Sequence, residues 1–132
     1  NVSTRFYLAD LDKDGDYDAL ASTSWDGDAR STSTGTINWN TVFGVPAGVS
    51  AVLINTTIRD SSATVNAGFL GLRAKSTGTL DSFETNTTAP SDNWNYRQGV
   101  VPVAADGTSY YSITASGAGT LDIYIRVVGW YL

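Results

Sequence analysis

The sequence contains no cysteine, no histidine and no methionine. Without cysteine there are no disulfides, no thiolate metal ligands and no thiol nucleophile, so stability must come from the core, a metal ion or partner chains. Without histidine the chain lacks the commonest general base near neutral pH, and Ser-His and Cys-His catalytic pairs are excluded. These absences favour a protein that binds and holds other molecules over an enzyme.

Positive charge and long apolar runs are also scarce. The 8 lysines and arginines stand against 13 acidic residues, which gives a net charge of −5, and the basic residues are scattered singly. Since phosphate neutralisation needs clustered cations, nucleic acid is not an expected partner. No apolar run approaches the roughly 20 residues of a membrane helix, so membrane insertion is not expected. The length of 132 residues predicts one domain, residues 1–132.

Threonine, serine and glycine are abundant, and the apolar residues alternate or form short runs between turn residues. This pattern predicts β-strands, and no segment shows the apolar spacing of an amphipathic helix. The predicted strands cover residues 4–9, 17–23, 34–40, 49–59, 67–75, 96–104, 108–115 and 120–132. About eight strands of this length predict an all-β fold, a two-sheet antiparallel sandwich of the jelly-roll type.

Three local signals refine this prediction. Pro102 within an apolar stretch indicates an edge strand, because proline cannot donate to a strand ladder. The sequence Ala-Asp-Gly-Thr at residues 105–108 predicts a tight hairpin between two strands. Residues 76–95 are polar and poor in aliphatic side chains, which predicts an exposed or poorly ordered loop.

The last predicted strand loses its alternation near the end of the sequence. Leu121, Ile123, Ile125 and Val127 fall on one face, but residues 128–132 are apolar on both faces. This pattern predicts an assembly interface, formed by Val128, Trp130, Tyr131 and Leu132. The alternative, weighted equally, is that this segment closes its own sandwich.

Residues 10–18 read Asp-Leu-Asp-Lys-Asp-Gly-Asp-Tyr-Asp, with an acidic side chain at every second position and a glycine that permits a sharp turn. Ca²⁺ prefers six to eight oxygen ligands, which this spacing can supply. We expect carboxylate ligands from Asp10, Asp12, Asp14 and Asp18, and a backbone carbonyl ligand from Asp16. The bound ion would stabilise the fold, because these carboxylates repel one another without a cation.

The loop differs from an EF-hand, because Ala21 stands at the twelfth position in place of a bidentate glutamate. It resembles the strand-loop-strand calcium loop of FG-GAP and integrin-propeller repeats. The resemblance covers about a dozen residues. It implies that residues 1–23 form a calcium-loop hairpin in front of a sandwich body at residues 24–132.

Aromatic residues flanked by amides suggest sugar binding, because aromatic rings stack on sugars and amides bind hydroxyl groups. The triplet Asn-Trp-Asn occurs twice, around Trp39 and around Trp94. Trp39 alternates in phase with an apolar strand and is interpreted as core, whereas Trp94 is equally consistent with core and surface. The predicted glycan contacts are Trp25, Trp94, Tyr96 and Arg97.

Several segments together resemble small β-sandwich modules of bacteriophage virion proteins, either tail-fibre-like or capsid-decorating. They are Ser-Trp-Asp-Gly-Asp at 24–28, Val-Phe-Gly-Val-Pro-Ala-Gly-Val at 42–49, Ala-Val-Leu at 51–53, Arg-Asp-Ser at 59–61 and Gly-Trp-Tyr-Leu at 129–132. The resemblance spans most of the chain and includes no catalytic motif. It implies a virion-exposed or extracellular module, often trimeric, that contacts other virion proteins or host-surface glycans.

The leading hypothesis is therefore a non-enzymatic virion module, stabilised by calcium, that adheres to host glycans or decorates the capsid. The alternative is a calcium-stabilised carbohydrate-binding module of a secreted bacterial protein. A glycan hydrolase would need two carboxylates facing each other across a cleft. Asp81, Glu84 and Asp92 are the plausible set, but Glu84 is the sole glutamate in the sequence.

Overall fold

The computed structural model describes residues 3–9, 18–62, 68–87 and 92–132. Within these ranges the chain forms nine β-strands and one short helix. The strands are β1 (Phe6–Leu8), β2 (Leu20–Arg30), β3 (Ser33–Asn38), β4 (Ala51–Asp60), β5 (Phe69–Arg73), β6 (Phe83–Asn86), β7 (Asn95–Pro102), β8 (Thr108–Thr114) and β9 (Leu121–Tyr131). Helix α1 (Trp39–Phe43) lies between β3 and β4. No helix in the described ranges is long and apolar enough to cross a membrane.

The strands form two antiparallel sheets. In sheet A, β9 lies between β4 and an edge made of β1 and β2, and β7 forms the opposite edge beyond β4. In sheet B the order is β3-β8-β5-β6. From β2 onward, strands next to each other in sequence lie in opposite sheets, except β5 and β6, which pair with each other in sheet B. This alternation between sheets is typical of a jelly roll. The predicted all-β sandwich is confirmed, as is the edge position of Pro102 in β7.

The core lies between the sheets because the strands alternate in apolarity. Every second residue of β4 is buried. The inward residues of the neighbouring strand β9 lie beside them on the same side of sheet A. Trp39 is also fully buried, and its indole Nε1 donates a hydrogen bond to Ser109 Oγ at 2.8 Å. This bond satisfies the one polar atom of the largest core side chain, and it confirms the interpretation of Trp39 as core.

The N-terminal edge of sheet A differs from the predicted hairpin. Both β1 and β2 run antiparallel to β9, with Tyr7 opposite Trp130 and Leu20 opposite Val127. They therefore run in the same direction and pair with successive parts of β9, as one edge strand interrupted by residues 10–17. The calcium-loop hairpin predicted for residues 1–23 is wrong, because a hairpin requires the two strands to pair with each other.

The residues on either side of residues 10–17 are hydrogen-bonded to each other. Ala9 is fully buried, and its amide donates to the Val128 carbonyl oxygen at 2.9 Å. The Asp18 amide donates to the carbonyl oxygen of Ala9 at 3.2 Å. Of the predicted calcium ligands only Asp18 is described; Asp10, Asp12, Asp14 and Asp16 lie outside the described residues.

The C-terminal segment closes its own sandwich. Val128 is only 4% exposed, and Trp130 packs against the core. Both residues were predicted at an assembly interface. That prediction is wrong for Val128, because its side chain is already covered within the chain, whereas Trp130 is only partly buried. Tyr131 stays partly exposed, and Leu132 is exposed.

Two elements were not predicted. The side chain of Asn38 caps helix α1 by accepting a hydrogen bond from the Thr41 amide at 3.0 Å, and Gly44 ends the helix with a left-handed φ of 78°. Strand β6 lies within the segment predicted as a loop. Its inward residues Phe83 and Thr85 are buried, and their alternation with polar neighbours is too short to stand out in the sequence.

Candidate functional site

The outward side chains of sheet A form cross-strand rows, set by the register of the strands. Two rows at one end are apolar and are here called the apolar rows. They contain Phe6, Tyr131, Ala51 and Pro102, and then Leu8, Gly129, Leu53 and Val100. The following rows are here called the polar rows. They contain Ala21, Arg126, Asn55 and Gln98, then Asp26, Tyr124, Thr57 and Tyr96, and then Ala29, Asp122 and Arg59. The outer face of sheet A thus changes from apolar to polar between Leu53 and Asn55.

Ion pairs and aromatic contacts fix the side chains at one end of the polar rows. The Arg59 guanidinium lies 2.6 Å from Asp122 and 3.3 Å from Asp92, and 4.4 Å from the ring centre of Trp94. The hydrogen bond to Asp122, opposed by burial, raises the pKa of Arg59 above its ordinary value. Trp94 also contacts Tyr124, with ring centroids 5.3 Å apart. Trp94 is therefore a half-buried packing partner of Arg59, not a free stacking surface.

Tyr96 has a different environment on the edge strand β7. It is 74% exposed, the largest exposure of any aromatic side chain in the described ranges. A groove lies on either side of it. The groove between β7 and β6 has a volume of about 640 Å³, and the groove over β4 on the sheet face has a volume of about 470 Å³. Tyr96, Arg97 and Gln98 line both grooves.

The walls of the two grooves are mainly amide and hydroxyl groups. On the sheet face, Gln98 Nε2 donates to Asn55 Oδ1 at 2.8 Å. Between the sheets, Asn95 Nδ2 donates to the backbone oxygen of Asn86 at 2.6 Å and joins β7 to β6. The buried Thr85 lines the same groove, and its hydroxyl has no hydrogen-bond partner among the described residues.

A glycine allows the two edge strands to approach each other. A Cβ atom at Gly99 would lie 2.6 Å from the ring of Phe83, so any side chain here would push β6 away from β7. The Phe83 ring is buried beneath the edge, and the guanidinium of Arg97 lies 5.6 Å from its centre. The groove between the sheets is therefore lined by polar residues of β6 and β7, and the buried Phe83 ring lies below Arg97.

This combination suits a ligand that has apolar ring faces and many hydroxyl groups. An exposed tyrosine ring offers a stacking surface, and amide groups both donate and accept hydrogen bonds.

Two of the predicted glycan contacts, Tyr96 and Arg97, lie together at these grooves, and Trp94 lies on the adjoining face. Trp25 was predicted in a polar surface turn, and this is wrong. It lies in β2 at 5% exposure, with its ring edge-on to Tyr111 at 5.2 Å and Arg30 above it at 3.6 Å. The irregular pairing of β2 with β9 lets this polar sequence remain a strand.

Asn55 and Gln98 were not recognised from the sequence. Each stands at an outward position of its strand, and only the pairing of β4 with β7 brings them together. The alternation of apolar and polar residues along β4 could have placed Asn55 on the solvent face. It could not have shown that Asn55 and Gln98 are neighbours.

The carboxylates considered for hydrolysis are not brought together as a set. Asp81 lies 3.6 Å from Arg73 on sheet B, and Asp92 pairs with Arg59 on sheet A. Glu84 lines the groove beside Tyr96. Among the described residues no group of three or more acidic side chains could hold a metal ion.

No family model matches the sequence, and no curated protein matches it. Two solved structures are similar in fold. The coat protein of Tobacco streak virus gives a TM-score of 0.46 at 7% identity, over 93% of this chain and 87% of that one. A carbohydrate-binding module of Cellvibrio mixtus lichenase 5A, solved in complex with cellotriose, gives 0.39 at 15% identity, over 85% of this chain and 96% of that one. Likeness at these levels carries no information about function.

Proposed function

We propose that this chain is a non-enzymatic module that binds glycans at the edge strand β7. The observation that supports this most directly is the exposed Tyr96 ring, set between two grooves with amide and hydroxyl walls. A sugar ring stacks on Tyr96, and its hydroxyl groups bond to Asn55 and Gln98 on one side or to Asn86 on the other.

The proposed setting is a virion or another extracellular surface, where many copies of the module contact host glycans. Shallow grooves give weak binding at a single site, and several linked copies raise the overall affinity. The apolar rows favour such assembly, because they leave Phe6, Leu8 and Val100 exposed on one end of sheet A. A trimer or larger homo-oligomer, together with other virion proteins, would cover them. A secreted carbohydrate-binding module is the alternative, and it would stay monomeric.

The proposal includes a calcium ion bound by residues 10–18. The support is the acidic spacing of the sequence, together with the hydrogen bonds of Ala9 and Asp18 that hold the loop ends together. A loop with fixed ends loses less entropy when it wraps around an ion. The ion would then stabilise the N-terminal edge of sheet A.

A glycan array tests the proposal with the purified chain and its Tyr96→Ala variant. Wild type is expected to bind at least one class of glycan, and the variant to bind it about tenfold more weakly, because one aromatic contact contributes about 1.5 kcal/mol. Tyr7→Ala is the matched control, since Tyr7 is an exposed tyrosine on the opposite edge of sheet A. Equal losses in both variants, or no binding by wild type, would contradict the proposal.

A further inference from the structure

We infer that the glycan bound at β7 is acidic, and that the Arg97 guanidinium binds a carboxylate on one of its sugar residues. This inference rests on the proposed glycan function and specifies the chemical class of the ligand. Guanidinium and carboxylate groups form a planar pair with two parallel hydrogen bonds, which favours a carboxylate over a neutral hydroxyl group.

Arg97 differs from Arg59, Arg73 and Arg126 in having no acidic partner among the described residues. Arg30 in β2 has none either, but its guanidinium donates to the backbone oxygen of Ser24 and lies over the Trp25 ring. Arg59 pairs with Asp122 at 2.6 Å, Arg126 with Asp26 at 2.7 Å and Arg73 with Asp81 at 3.6 Å. In the part of the chain that the structure describes, the Arg97 side chain makes no ion pair and no hydrogen bond.

The Arg97 guanidinium lies at the grooves, over the ring of Phe83. The Phe83 ring lies beneath it, at 5.6 Å from ring centre to guanidinium carbon. A planar guanidinium held over an aromatic ring keeps its N–H groups available at its rim, so less freedom is lost on binding an anion. Tyr96, the proposed stacking residue, precedes Arg97 on the same edge, and both residues line both grooves.

The groove between the sheets has one residue of each charge, Arg97 and Glu84. An anionic sugar must therefore place its carboxylate toward Arg97 on β7, while Glu84 on β6 accepts hydrogen bonds from sugar hydroxyl groups. The net charge of the chain is −5, which opposes unspecific attraction of polyanions. Preference for an acidic glycan would therefore have to come from this local contact.

Matched sugar pairs test the inference by calorimetric titration. The probes are tetramers of galacturonate, glucuronate and mannuronate, each beside its carboxyl-reduced counterpart of the same linkage. Wild type is expected to bind at least one uronate tetramer about tenfold or more tightly than the reduced form, and Arg97→Gln to bind both forms equally weakly. Arg5→Gln removes the same charge from an exposed residue away from the grooves, and it should keep the preference.

The possible results separate the inference from the function on which it rests. Equal binding of acidic and reduced sugars by wild type would overturn the inference and leave glycan binding in place. A preference that survives in Arg97→Gln, or that disappears equally in Arg5→Gln, would also overturn it. If wild type binds none of these sugars and no glycan on an array, both the inference and the proposed function fail. Melting temperatures of the variants verify that each is folded.

Discussion

Asp60 is a buried charged residue that joins two loops at one end of the sandwich. It is 1% exposed, and its carboxylate accepts hydrogen bonds from the Ser116 amide at 2.9 Å, the Ser116 hydroxyl at 2.6 Å and the Ser62 amide at 3.1 Å. Burial acts to raise the pKa of Asp60, but the hydrogen bonds from Ser116 and Ser62 outweigh it and lower the pKa. Asp60 thus connects the turn after β4 with the loop between β8 and β9.

Replacing Asp60 by asparagine tests this role. A carboxylate with a lowered pKa in the folded state contributes stability above the unfolded pKa of about 4, and the contribution is lost as pH falls through the folded pKa. Asp60→Asn should therefore lower the free energy of unfolding by about 2 kcal/mol at neutral pH. The difference from wild type should shrink at about pH 3. Urea unfolding at both pH values measures it, with the exposed Asp28→Asn as control. A pH-independent difference would contradict this account.

The predicted glycan contacts show which properties of single residues a sequence pattern can reveal. Tyr96 and Arg97 follow an Asn-Trp-Asn triplet, and their polar surroundings correctly indicated exposure. Trp25 has equally polar neighbours, but β2 is bulged and turns its indole into the core. Burial of a tryptophan among polar residues depends on the strand pairing, which a local pattern does not contain.

At the scale of the strands, the proposed calcium loop interrupts one edge strand of sheet A. Ala9 and Asp18, on either side of this segment, are both hydrogen-bonded to neighbouring backbone, and β1 continues to pair with β9 as far as Tyr131. Repulsion among the acidic side chains of residues 10–18 would strain these contacts in the absence of a cation. Metal binding should therefore be coupled to the stability of the whole edge.

Chelation should lower the melting temperature of the wild-type chain, and excess Ca²⁺ should restore it, because the ion binds the folded loop more tightly than the unfolded chain. Asp12→Asn should reduce this shift by weakening calcium affinity. Asp28→Asn, an acidic residue in β2 outside the loop, should not. Scanning calorimetry measures the shift. A wild-type melting temperature that is the same with calcium and with chelator would rule out the proposed site.

Most strands were predictable from the alternation of apolar and polar residues. The strands with which they pair were not. The tight turn at residues 105–108 exists, with the Gly107 amide bonded to the Ala104 oxygen at 2.9 Å, but it joins strands of different sheets instead of a hairpin. A turn sequence fixes the local backbone, and the sheet that the next strand enters depends on distant contacts. Strand β6 was missed for a similar reason, since its four residues are stabilised by pairing with β5.

For the whole molecule, the outer face of sheet A combines an apolar end with a polar end that carries the proposed glycan site. Gly129 keeps the apolar end flat, since a Cβ there would lie 2.6 Å from the Phe6 ring. Flat apolar surfaces that run across several strands are typical of protein contacts. The same face can thus hold copies together at one end and leave Tyr96 accessible at the other.

Light scattering tests this assembly. Wild type is expected to form an oligomer, and the double variant Leu8→Ser and Val100→Ser to dissociate at a concentration about tenfold higher or more, since each buried aliphatic side chain contributes about 1.5 kcal/mol or more. Leu80→Ser is the control, because Leu80 is 82% exposed and lies outside the apolar rows. A monomeric wild type at high concentration would favour the secreted carbohydrate-binding module.

The central claim, glycan binding at the edge strand β7, is tested most directly by nuclear magnetic resonance. The isotope-labelled chain would be titrated with the best ligand from the glycan array, and the shifted backbone amides would be mapped. We predict that the largest shifts occur in β7 around Tyr96 and in the facing residues of β4 and β6. Shifts confined to sheet B or to the apolar rows, with β7 unchanged, would contradict the claim.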